Sequence, residues 1–258
     1  MTESWRGFRF RKVNENLWHE LELSELYACS PKRLNDPFDC GVDWARACKR
    51  ALASEDLDTN RRRTIEEIEA AFRQVDPMAD PRLEPGVCCF SLDLDNTLMW
   101  SHYADAHRGV CLLYDLPNTY FRELYPPPTT ASEPSKEFFF VGQQKVGYGD
   151  NVFSDWLTTG DLRELPVSPI ENAVARLLTA KSAAWGYELE SRLVFSHPGF
   201  VKLEPRFLTQ VTFGLRTPDH HRRSIARVAK RANPEVAFSE VVKSVNSDLA
   251  LEFREVDG

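Results

Sequence analysis

Apolar residues in this chain never run longer than about five in a row; Val110 to Tyr114 and Phe138 to Val141 are typical. A helix that crosses a bilayer needs about 20, so the sequence offers no candidate span and no membrane partner is expected. The short runs carry two periods. Trp5 to Arg11 alternates, with Phe8 and Phe10 on one side and Arg9 and Arg11 on the other, the mark of a strand with one wet or functional face. Strand patterns also cover Leu26 to Cys29, Val87 to Leu92, Val110 to Tyr114, Phe138 to Tyr148 (one or two strands with a glycine bend), Tyr187 to Phe195, Phe207 to Gly214 with Val201 and Leu203 before it, and Phe253 to Val256. Helical spacing marks Glu15 to Leu26, Asp43 to Leu52, Thr64 to Val75, Pro169 to Trp185 and Pro218 to Ala232, and Thr97 to Ala106 reads as a short helix that stops at Gly109. Strands and helices follow one another without regular βαβ alternation. The expected fold is a single α+β domain over residues 1–258, with a mixed or antiparallel β core flanked by helices and a long Pro-rich exposed loop at residues 125–136.

Lys and Arg number 32 against 39 Asp and Glu, a net charge of -7. That balance argues against coating a polyanion wholesale. Two local basic stretches remain, Arg61 to Arg63 and the helix around Arg216 to Arg231. Each reads as a solvated helix face or as a phosphate-contacting patch. The six cysteines show no CxxC spacing, and the opening residues MTESWRGFRFRK lack the apolar stretch of a secretion signal. Reduced core thiols, no metal and a cytoplasmic location are therefore expected.

The residues that carry chemistry fall in a few segments. On an extended Tyr187 to Phe195, the side chains of Glu188, Glu190 and Arg192 share one face, with like-side Cα atoms about 7 Å apart. Two carboxylates that close repel unless a cation or ligand lies between them. The pattern reads either as a solvated face or as a carboxylate pair that grips ribose hydroxyls or a developing positive charge, with Trp185 and Tyr187 as a stacking surface. The segment Leu34 to Asp39, LNDPFD, is turn chemistry, and its Asn35, Asp36 and Asp39 also suit a sugar or a cation. Met99 to Asp115 clusters Trp100, His102, Tyr103, His107 and Arg108 after a buried strand and a turn, a common place for a site. Ser91 to Leu98 carries a different signal. Its Asp93 and Asp95 look like the nucleophile and acid/base of a magnesium-dependent phosphatase of the haloacid-dehalogenase type, with Gly149, Asp150 and Asp155 as the later acidic motif. Only a short Pro-rich interval separates the two acidic sets, too little for the required crossovers.

Taken in order, FRFRKVNEN, LYACSPKRLNDPFD, CCFS, LMWSHYADAHRGVCLLYD, KVGY and KSAAWGYELESRLV resemble the bacterial family called domain of unknown function 2971, across roughly residues 8–195. That family is similar in layout to ADP-ribosyltransferase-like proteins. The resemblance implies a split β core and a nucleotide-using transferase of phage-defence or toxin type, with NAD as substrate. Arg9 or Arg11 would then hold the adenosine or phosphate end. Tyr103, with Trp100, would flank the nicotinamide. Ser30, Asn35, Asp36, His102, Trp185 and Arg192 would complete the nucleotide contacts, and Glu188 or Glu190 would act on the nicotinamide ribose, with a protein or nucleic acid as acceptor. The first strand departs from well-known transferases, carrying arginines without a His-Thr or Arg-Ser-Thr pattern. Two alternatives stay open: a non-catalytic nucleotide or nucleic-acid binding module of the same fold, and the phosphatase.

Overall fold

The alternating arginines and aromatics near the start of the chain do form a strand. In the computed structural model, which describes residues 4–79, 84–128, 137–165, 167–247 and 250–257, β1 spans Ser4–Arg11. It is followed by α1 (Glu15–Leu23), β2 (Glu25–Ala28), α2 (Trp44–Leu52), α3 (Thr59–Gln74), β3 (Gly86–Ser91), α4 (Thr97–His102), β4 (Val110–Pro117) and α5 (Tyr120–Leu124). The second half holds β5 (Phe140–Lys145), β6 (Gly147–Tyr148), α6 (Val152–Thr159), α7 (Pro169–Leu177), β7 (Ala180–Lys181), β8 (Glu190–Phe195), β9 (Gly199–Lys202), β10 (Leu208–Phe213), α8 (Asp219–Ala232), β11 (Ala237–Lys243) and β12 (Leu251–Glu255).

The fold is α+β. Its central sheet has eight strands in the order β12-β11-β10-β4-β1-β3-β8-β5, and small two-stranded ribbons join β2 to β9 and β6 to β7. Neighbours in the sheet run antiparallel except β10 and β11, which α8 connects. Helix starts follow local chemistry. Asn14 accepts the Leu17 amide at α1, Asp58 accepts the Arg61 amide at α3, and Ser168 with Glu171 closes a capping box at α7. The largest core cluster packs Leu17 and Leu21 of α1 and Ile225 and Ala229 of α8 against one face of the sheet, beside Phe90, Leu112, Leu193, Phe195 and Val211.

One joint in this sheet positions everything that follows. β1 pairs with β4 over its whole length, from Ser4↔Pro117 to Arg11↔Val110. Its one register pair with β3 is Phe8↔Ser91. At the opposite end of β3, Val87 exchanges backbone hydrogen bonds of 2.9 and 2.8 Å with Cys29, just after β2. Beyond Phe8↔Ser91, β1 and β3 separate, and the far end of β3 turns to Cys29 instead. The hydrogen-bonded order is unbroken, but its halves are in register at one residue pair, so the split expected of the core is a local parting in one continuous sheet.

Several expectations change in detail. The stretch expected as one helix from Pro169 to Trp185 ends at Leu177, because Ala180–Lys181 turns extended and pairs in parallel with Gly147–Tyr148. The strand expected to start at Tyr187 starts at Glu190, since Ala183–Glu188 forms a 3-10 segment. Tyr125, expected in the exposed loop, is half-buried and accepts the Lys202 amide at 2.8 Å; residues 129–136 of that loop lie outside the described residues. Arg61 and Arg62 spend their guanidiniums on backbone carbonyls of neighbouring segments, so that basic run is structural. The six cysteines carry free thiols.

The link from α4 to β4 is strained. Asp105, Ala106 and His107 all have left-handed φ values, 51°, 52° and 68°. Gly109 then runs against β1, where a Cβ would lie 2.0 Å from the Arg11 carbonyl oxygen. Ala in the left-handed region costs roughly 1 kcal/mol, so Ala106→Gly should raise stability by about half to one kcal/mol after its own entropy loss. Gly109→Ala should lower it by roughly 1–3 kcal/mol. Urea unfolding of both variants checks this; equal shifts of one sign would contradict it.

Candidate functional site

Arg192 is the centre of the most heavily bonded polar cluster. It is fully buried, and a guanidinium there needs a partner for each of its five donors. Its Nε and NH2 grip Glu190 at 2.8 and 2.9 Å. Its NH1 and NH2 grip Asp39 at 2.9 and 2.7 Å. The remaining N–H of NH1 donates to the Leu178 carbonyl at 2.7 Å. One side chain thus makes two forked carboxylate pairs, the strongest geometry available to it.

Lys181 extends the cluster. Its Nζ lies 3.1 Å from Asp39, 2.5 Å from Glu188 and 3.3 Å from Glu190. Both glutamates reach one ammonium because the backbone turns between them. Leu189 adopts a left-handed conformation (φ 44°, ψ 52°), closing the 3-10 segment before β8 begins. Glu188 therefore does not share a strand face with Glu190, as alternation predicts; the turn brings the two carboxylates together over Lys181. Tyr103, just after α4, donates to Glu188 Oε1 at 2.5 Å and accepts from Asn35 Nδ2 at 3.0 Å.

These groups form one wall of a cleft of about 700 Å³ that enters the parting between β1 and β3. The other wall carries Arg9, Arg11 and Glu20. Arg11 pairs with Glu20 Oε2 at 2.6 Å, and the Tyr114 hydroxyl donates to Glu20 Oε1 at 2.8 Å. Arg9 Nε lies 3.2 Å from Glu20 Oε1 without a directed hydrogen bond, and its guanidinium packs 4.9 Å from the centre of the Phe90 ring. Strand alternation puts Arg9 and Arg11 on the α1 face and Glu190 and Arg192 on the opposite one. The two sets meet only through the parting. With all groups ionised, Asp39, Glu188 and Glu190 against Lys181 and Arg192 leave one net negative charge. Arg9, Arg11 and Arg33 against Glu15, Glu20 and Glu25 leave the other wall without net charge, its guanidiniums interleaved with carboxylates. The three arginines of the cleft's first wall stand apart from the carboxylate-rich cluster around Glu188.

Protonation follows this layout. Desolvation is the largest single influence on Glu190, yet the Arg192 fork and Lys181 together outweigh it and hold its carboxyl down at about 2. Burial dominates at Glu188 and raises its carboxyl, against the pull of Lys181 and Tyr103. Burial, reinforced by the Glu188 carboxylate, raises the Tyr103 hydroxyl. Lys181 loses solvation but is held above its usual value by Glu190, Asp39 and Glu188.

Of the twelve residues singled out in the sequence, Arg9, Arg11, Asn35, Tyr103, Glu188, Glu190 and Arg192 line this cleft. The others do not. Trp100 is fully buried, packed edge-on to Phe10 at 5.1 Å with its Nε1 on the Leu94 carbonyl, so it cannot flank a ligand. Ser30 caps the Pro31–Arg33 turn and donates to Glu84 at 2.5 Å. Asp36 accepts the Phe38 amide inside its own turn. His102 and Trp185 line a shallower neighbouring hollow, with His102 Nδ1 2.9 Å from the Tyr187 hydroxyl. Lys181 and Glu20 went unassigned by sequence reasoning, Lys181 because it sat inside an apparent helix; Asp39, read as a sugar or cation ligand within LNDPFD, instead pairs with Arg192 and Lys181. Asp93 and Asp95 occupy a turn whose polar atoms bond within it, and β3 runs antiparallel to both neighbours.

No family model, curated protein or solved structure matches this chain. Among the described residues, no helix is long and apolar enough to cross a membrane, and no three His, Cys, Asp or Glu side chains converge as a metal site.

Arg192→Leu strands two buried carboxylates and should cost about 3–5 kcal/mol in denaturant unfolding, with Arg192→Lys intermediate because it keeps charge but loses the fork. Glu190 also sets a pH dependence. Its folded value lies below its ordinary 4.5, so its stabilisation is complete above that pH and drains away as pH falls toward 2. Wild-type unfolding midpoints should fall through that window, and those of Glu190→Gln should fall less. A parallel decline in both would contradict the assignment.

Proposed function

We propose that the cleft binds NAD and that the protein is an ADP-ribosyltransferase-like enzyme of bacterial defence or toxin type, transferring ADP-ribose to a protein or nucleic-acid acceptor. The observation that supports this reading is one cleft lined by Arg9, Arg11 and Arg33 at one end and by Glu188 and Tyr103 at the other. Its volume suits a nucleotide-sized ligand. The guanidiniums suit the pyrophosphate, and the carboxylate end suits the ribose that carries nicotinamide.

In this mechanism the bond between the ribose C1′ and the nicotinamide ring nitrogen breaks. The electron pair leaves with nicotinamide, which becomes neutral, and positive charge develops on the sugar. Glu188 is the carboxylate placed to face that charge, as in glycoside cleavage. The acceptor's lone pair then bonds to C1′ and the acceptor gives up a proton. Burial raises the Glu188 carboxyl, which suits it to take that proton. Glu190 has a different role. Its oxygens are committed to Arg192 and Lys181, so it positions Lys181 and, through it, Glu188. Tyr103 and Asn35 fix the other Glu188 oxygen.

Incubation with NAD should release nicotinamide. Glu188→Gln should reduce the rate by about 10²–10³-fold with the fold intact by circular dichroism, and Asp93→Asn should leave it unchanged. Magnesium-dependent phosphate release that disappears in Asp93→Asn, with no nicotinamide released, would overturn the proposal.

A further inference from the structure

The α1 side of the cleft ends on three aromatic rings that the proposed chemistry does not use. Tyr27 of β2 and Phe200 of β9 face each other in register and project outward, while their neighbours Leu26 and Val201 are buried. The His19 ring of α1 stacks on Phe200 with centroids 4.5 Å apart and planes at 29°, and Tyr27 lies 5.1 Å away. Glu25 steadies His19 through Oε2, 3.2 Å from Nε2. Phe200 is still 52% exposed and Tyr27 38% exposed, and all three rings line the cleft. Large apolar rings left in water beside a cleft usually mark a contact surface.

Charge tells what belongs there. His19 and Glu20 are consecutive on α1: one stacks on Phe200, the other holds Arg11 and Arg9. Arg33 lines the same cleft, is exposed, and has no side-chain partner among the described residues. Arg9 Nε, on a side chain only 6% exposed, has no hydrogen-bond acceptor. A flat aromatic shelf beside the exposed Arg33 and the unpaired Arg9 Nε matches a ligand with a planar heterocycle on one end and phosphate next to it.

We infer that the His19–Tyr27–Phe200 shelf is a nucleobase subsite, taking the adenine end of a nucleoside diphosphate whose phosphates lie toward Arg11 and Arg33. This deepens the NAD reading and rests on it for the identity of the base. Stacking on an aromatic face serves any base, and the guanidiniums supply phosphate contacts.

The test titrates ADP and inorganic pyrophosphate, which lacks the base, into the full chain by calorimetry. ADP should bind more tightly than pyrophosphate. Phe200→Ala should weaken ADP about tenfold and leave pyrophosphate unchanged, and Phe200→Trp should keep the wild-type affinity. Tyr27→Ala, also at an exposed position, repeats the test should Phe200→Ala unfold. ADP binding no tighter than pyrophosphate, or ADP affinity indifferent to these ring removals, overturns the subsite. Nicotinamide release measured alongside separates the two proposals. Turnover without Phe200-dependent ADP binding sinks the subsite alone, and Phe200-dependent ADP binding without turnover sinks the transferase reading alone.

Discussion

A guanidinium cut off from water must find a partner for every donor, and Arg192 finds them on three separate parts of the chain. Glu190 lies two residues away on β8, Leu178 follows α7, and Asp39 closes a turn early in the sequence. Removing either carboxylate would leave charge uncompensated in the interior, where the penalty runs to several kcal/mol. The cluster therefore fixes where the Asp39 turn docks and where Lys181 points. Glu188, at the cleft end of the cluster, inherits its position from those buried contacts. The arrangement resembles other preorganised sites: Glu188 is held by Lys181 and Tyr103, and buried contacts fix Lys181 in turn.

The parting of β1 from β3 gives this cluster an opening. A fully laddered β1–β3 pair would fill the space that the cleft occupies. The single pair Phe8↔Ser91 and the Cys29–Val87 exchange hold the two lips apart. The arginine-bearing wall and the Glu188 wall then lie on opposite faces of the sheet and meet through the gap. Left-handed Leu189 contributes a further constraint. A bulky, exposed residue in that conformation costs of order 1–2 kcal/mol, and what it secures is the convergence of Glu188 and Glu190 on one ammonium.

Much of this was legible before any coordinates. The alternation in Trp5 to Arg11 and the apolar runs at Val87 and Val110 identify central strands, since period and β propensity agree there. Asn35, Tyr103 and the Glu188–Arg192 segment were visible as chemistry-bearing residue types in unusual company. Lys181 was not, because Leu177 to Lys181 continues a good helical pattern and only pairing with Gly147–Tyr148, distant in sequence, ends it. The 3-10 segment before β8 was hidden for a similar reason: an alternating YELESRLVF fits a strand, and nothing local announces the left-handed turn at Leu189. Trp100 misled in the other direction. An aromatic next to polar tips looks like a ligand platform, but the packing of Phe10 against it makes it core. β11 escaped notice because Ala237–Lys243 carries no clean alternation: its interior is buried on both faces, Ser239 and Glu240 included.

On the proposed function, the buried Arg192–Lys181 cluster would hold Glu188 against the nicotinamide ribose of bound NAD. A crystal structure with a non-hydrolysable NAD analogue tests it most directly. The account predicts ribose hydroxyls within hydrogen-bond reach of the Glu188 carboxylate, with the ligand threaded through the parting between β1 and β3. An analogue seated elsewhere on the molecule, or lying in the cleft with its nicotinamide ribose away from Glu188, would contradict it.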